Sequence, residues 1–197
     1  VSCCCSFDTG YGQDIAAPDM PDVDEYRKTP EFEKDRLAIA RQAIIGKLCL
    51  EIAGMELDMQ QKALDERLLL QTMMELWPEK TLDDCPQDFR EAWLQSRKVF
   101  KMWLKDDNAW EETEEGRDMV QQLQDSMKRV EEKYGCQVLD QAADKWLKTH
   151  GPVKKEGESP KEYLKRLNQL KEDIYSGKLA VSPELLHQED EWKDEEE

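Results

Sequence analysis

The residues with the readiest chemistry are six cysteines and two histidines, and their spacing serves that chemistry poorly. A structural zinc site repeats a Cys-x-x-Cys spacing so that its ligands converge on one tetrahedron. Cys3, Cys4 and Cys5 are consecutive, and adjacent thiols do not point at one ion. Cys49 lies among apolar residues, the pattern of a buried thiol. Cys85 and Cys136 each fall at an expected helix start, where the helix dipole lowers a thiol's pKa. They are the candidates for a redox-responsive pair, provided the fold brings them together.

His150 and His187 are too few for most hydrolytic triads and most histidine-based metal sites. Glu184 and His187 have the Glu-x-x-His spacing of di-iron helix bundles, but those sites need two such motifs and two further carboxylates. The glycine-rich loops that cradle phosphates are missing, and so is the serine elbow of hydrolases. Carboxylates are so abundant that no pair stands out as acid and base. The expectation is a non-catalytic protein with no metal or cofactor.

Recognition is the other chemistry on offer. Phe89, Trp93, Phe100, Trp103 and Leu104 follow helical steps and make one aromatic face, flanked by Leu94 and Val99. Such a face is either core packing or a set of aromatic anchors for a partner. Trp110, near the next helix start, and Trp192, inside an acidic run, complete the partner-binding candidates.

Charge narrows the partner. The net charge is −17, and 37% of residues are charged. Phosphate binding needs a basic surface, so nucleic acid is not expected as a direct ligand, and a basic protein surface is the natural partner. No stretch approaches the length of apolar chain that spans a membrane. The cysteine density is not that of a disulfide scaffold, so a reducing compartment is expected. Val1-Ser2-Cys3, followed by further serine and cysteine, resembles the end of a plastid transit peptide. That resemblance implies the chloroplast stroma; the cytoplasm is the alternative.

Helices must position these residues. The spacing predicts an all-α fold organised around one long helix over residues 30–77. Thr29-Pro30-Glu31 is a good helix start, and Trp77 before Pro78 is a stop. Leu37, Ile44, Leu48, Ile52, Met55 and Met59 recur at helical spacing. Gly46 and Gly54 share a face and predict a close helix crossing. A break near Gly54, giving two antiparallel helices, lacks turn residues.

Four shorter helices are expected over residues 86–105, 112–134, 137–149 and 160–175. Ser159-Pro160-Lys161-Glu162 reads as a capping box, and Gly135 as a C-terminal cap. Residues 1–28 carry six acids against two bases and read as a flexible arm. Residues 29–177 form a single helical domain. Residues 178–197 read as an acidic tail, disordered like the arm.

The function expected from this pattern is protein–protein interaction, as an assembly factor or accessory subunit of a larger complex. Two alternatives remain open. One is a redox-responsive regulator working through Cys85, Cys136 or the trio Cys3, Cys4 and Cys5. The other is a homo-oligomeric coiled coil built on residues 30–77, within which Ala43 to Ala53 is apolar almost all round.

Overall fold

The computed structural model describes residues 23–63, 65–106 and 109–192. Among them the fold is all-α. It comprises α1 (Val23–Tyr26), α2 (Pro30–Met59), α3 (Glu66–Leu76), α4 (Gln87–Asp106), α5 (Glu114–Tyr134), α6 (Cys136–His150) and α7 (Pro160–Tyr175). Short 3-10 turns lie at Glu79–Leu82, Ala109–Glu112 and Pro183–Trp192.

The long helix is α2, and the rest packs around it. Thr29 Oγ1 accepts from the Phe32 N–H, Pro30 takes the first position, and Glu31 and Glu33 complement the dipole. Ile39, Ile44, Ile45, Leu48, Cys49 and Ile52 are all buried on it. They point in several directions because α3, α6 and α7 each cover part of its circumference.

Residues 30–77 do not form one helix. The chain turns at Gln60–Asp65, and α3 folds back along α2. The turn is a Schellman closure: Lys62 N–H donates to Leu57 O and Gln61 N–H to Asp58 O. Gln61 takes the left-handed position, at φ 54°. Glycine usually fills that position, so nothing in the local composition marked the turn. The glycines nonetheless serve a close crossing, inside this hairpin. The Trp77 ring sits over Gly46, where a Cβ would lie 2.5 Å from it, and Leu69 sits opposite Gly54. Pairing 46 with 77 and 54 with 69 makes the two helices antiparallel. A coiled coil on residues 30–77 therefore loses its basis.

The later helices keep close to their expected bounds. Thr113 caps α5 by accepting from the Gly116 N–H. Gly135, at φ 68°, ends α5 in the left-handed region and starts α6 one residue later. Ser159 and Glu162 form the full capping box of α7.

Both domain boundaries shift. Tyr26, assigned to the arm, packs edge-on against Phe32 and Tyr134. Val181, Leu185 and Leu186, assigned to the tail, are buried against the core, on α6 and α2. The polar run that follows disguised this last apolar step in the sequence. Among the described residues, no helix is long and apolar enough to cross a membrane.

Candidate functional site

The aromatic face of α4 divides into two halves. The first half is locked to α2 and α3. Trp93 meets Trp77 edge-on at 5.3 Å between ring centres. The Arg97 guanidinium lies over Trp93 and donates to Trp77 O at 2.9 Å and Met74 O at 2.8 Å. Met74 O also accepts from the Trp77 N–H at 3.3 Å, and Trp77 caps α3, so Arg97 fastens the C-terminal end of α3 to α4 and complements its dipole. Trp77 Nε1 donates to Gln42 Oε1 at 3.0 Å. Gln42, buried mid-helix, also accepts from the Thr81 hydroxyl and donates to Thr81 O. This buried amide ties α2 to Trp77 and the 79–82 turn, and Arg97 carries the tie on from Trp77 to α4.

The second half of α4 is only partly covered. From Trp93 to Lys105 no residue is buried, although the segment holds Leu94, Val99, Phe100, Met102, Trp103 and Leu104. Phe100 and Trp103 lean on each other at 5.3 Å, and Arg67 lies over Trp103 at 4.5 Å. Helix α3 has no buried residue either; Leu68, Leu69, Leu70, Met73 and Met74 are half-buried. An amphipathic helix closing a domain normally buries its apolar stripe. Here α3 and the end of α4 present theirs halfway.

A groove of about 480 Å³ runs between α4, α5 and the start of α6. Phe89, Trp93, Met127, Val130 and Cys136 line it. Sequence candidates Phe89, Trp93 and Cys136 thus meet at one place, and Met127 is 54% exposed at the rim. Trp110 does not join them. It is buried beside the start of α5, its carbonyl accepting from the Thr113 hydroxyl, and presents no surface to a partner. The Trp192 side chain lies outside the described residues, as do Cys3, Cys4 and Cys5.

The thiols behave opposite to expectation. Burial pushes Cys85 and Cys136 up to about 12, and Cys49 to about 11. Glu131 adds to the effect at Cys136. A backbone hydrogen bond and the Arg36 charge act to lower Cys136, but burial outweighs them. Thiols so placed are protonated at neutral pH and are poor nucleophiles. All three are free, with no disulfide among them.

A second cleft, of about 890 Å³, opens between α1, α4 and α5. It holds a polar cluster that sequence reasoning missed. Asp88 accepts from Lys133 Nζ at 2.9 Å and from the Tyr134 hydroxyl at 2.7 Å, while the Tyr26 hydroxyl donates to Asp35. Lys133 Nζ is 5.1 Å from both tyrosine ring centres. Burial and the neighbouring carboxylates push both tyrosines up. Burial opposes the charge of Asp88, but the bonds from Lys133 and Tyr134 prevail and hold it below the usual carboxylate range. Each group is already engaged by another, the arrangement of a structural tie. Its members come from α1, α2, α4 and α5, so no local spacing announces it.

The histidines stand apart. His150 stacks on Trp146 at 4.5 Å, and His187 lies 3.6 Å from Glu33. Among the described residues no three histidines, cysteines or carboxylates gather as metal ligands would. Comparison with protein-family models, curated proteins and solved structures finds no match to this chain.

Sequence reasoning also missed Lys98, Lys101 and Lys105. All three are exposed on α4, and none has a carboxylate partner among the described residues. The signal was present: residues 92–105 contain four basic residues and no acid, in a chain with 45 acids. The total charge hid it.

Proposed function

We propose that this protein is a non-catalytic interaction protein, an accessory subunit or assembly factor, and that α3 and the second half of α4 form its docking surface. One observation carries the reading. Six large apolar side chains between Leu94 and Leu104 are all left partly exposed, beside a helix with no buried residue. Contiguous apolar surface rimmed by charge is what interaction sites present. Phe100 and Trp103 are the anchors, because half-buried aromatics gain most when a partner removes the remaining water.

The test is native size fractionation of extract from source cells carrying either the natural chain or a Phe100→Ser, Trp103→Ser variant. The natural chain elutes well above its own 23.1 kDa mass with defined companions, and the variant elutes alone. A natural chain that elutes as a monomer refutes the reading.

A further inference from the structure

Leu94, Lys98, Lys101 and Lys105 are separated by steps of four, three and four, so they share one face of α4. That face is about 16 Å long, at 1.5 Å per residue. The half-buried Met102 flanks it on one side and Leu104 on the other. The lysines are exposed and lack carboxylate partners among the described residues. The helix dipole favours Lys105 in the last turn, but it does not reach Lys98. A local stripe of one sign, on a chain of the opposite sign, is the chemistry of charge recognition.

We propose that residues 94–105 of α4 dock an acidic amphipathic segment of a partner protein. Its carboxylates meet Lys98, Lys101 and Lys105, and its apolar side chains cover Leu94, Met102 and Leu104. This rests on the reading of α4 as an interaction element but places the partner on the side of the helix away from Phe100 and Trp103, and it gives the partner a charge opposite to what the chain total implies. A protein segment fits better than a polyanion or an anionic bilayer. The latter are extended, and they bring the rest of a −17 chain to within the Debye length, about 8 Å at physiological salt. A short segment touches the stripe alone.

The test titrates the full chain with one synthetic amphipathic helix of about five turns, long enough to hold its shape. It is made in three forms, sharing a leucine stripe and carrying glutamate, glutamine or lysine at the positions that border that stripe. The glutamate form binds tightest and weakens as salt rises. The Lys98→Gln, Lys101→Gln, Lys105→Gln variant weakens it by about tenfold, the sum of three exposed charge pairs. The corresponding arginine variant keeps the affinity, and the glutamate variant reverses the preference toward the lysine peptide. Helical circular dichroism stays the same in all three variants.

Equal binding of the three peptide forms, no binding of the glutamate form, or indifference to the lysine substitutions overturns the proposal. So does equally tight binding of single-stranded oligonucleotide or phosphatidylserine vesicles through the same lysines. Binding only after removal of residues 1–22, which hold four acids and no base, also overturns it, because the chain's own N-terminus would then hold the face. Charge-selective peptide binding by a protein that fractionates alone supports this assignment and removes the assembly reading. Native companions without charge selectivity do the reverse.

Discussion

Helices α2 and α4 are both rich in large apolar residues, and their surroundings differ. Around α2, the chain supplies every neighbour: α3, α6, α7 and the 183–192 turn lie against it, and Ile44, Cys49 and Ile52 are fully buried. Around α4, the main neighbours among the described residues are α5, α3 and the 109–112 turn, and nothing from Trp93 to Lys105 is buried. One helix is completed by its own chain and the other is left open. Hydrophobic burial is proportional to area removed from water, so the first region holds the fold and the second holds back area that a partner can use. The composition of the two helices alone does not separate these roles. Their neighbours do.

That contrast can be broken at its strong end first. Ile52→Ala on α2 opens a cavity at a fully buried site and is expected to cost about 3–4 kcal/mol, read by urea unfolding. Gln42→Leu is next. It leaves the Trp77 indole N–H without its acceptor and Thr81 O without its donor, a loss of about 2 kcal/mol, while the Thr81 hydroxyl keeps Pro78 O. An unchanged midpoint would mean that the α2–α3–α4 junction contributes nothing. On α4, Trp103→Ser should cost about 2 kcal/mol in stability, less than Ile52→Ala, because part of the ring already lies in water. If it unfolds the protein as Ile52→Ala does, the two helices are not different in kind.

Smaller effects sharpen the account at the polar cleft and the thiols. The folded pKa of Asp88 lies below its unfolded value, so its contribution is present above about pH 4 and disappears as pH falls through the folded value. Asp88→Asn should therefore flatten the acid limb of stability against pH. Cys85 and Cys136 should alkylate more slowly in the folded protein at neutral pH than in urea. Fast labelling of the native protein would revive the redox reading.

Legibility in the sequence followed chemistry that is local. Thr29-Pro30, Thr113, Gly135 and the Ser159–Glu162 box fix helix ends through bonds within a few residues, and those ends fell where spacing put them. The turn after Met59 was invisible because a glutamine occupies the left-handed position. The buried Leu185 and Leu186 were hidden by the acidic run after them. At the candidate site, spacing found Phe100 and Trp103, but whether they are covered depends on helices far away in sequence. The Tyr26–Asp35 and Tyr134–Asp88 ties, drawn from four elements, are tertiary throughout.

The central claim, that α3 and the end of α4 are the face this chain keeps for a partner, is most directly tested by amide hydrogen exchange. The measurement compares the isolated chain with the native assembly recovered from source cells. The account predicts added protection concentrated in residues 66–77 and 93–105, with α2, α6 and α7 already slow in the isolated chain. Protection gained on α6 or α7 instead, with residues 93–105 unchanged, would contradict it.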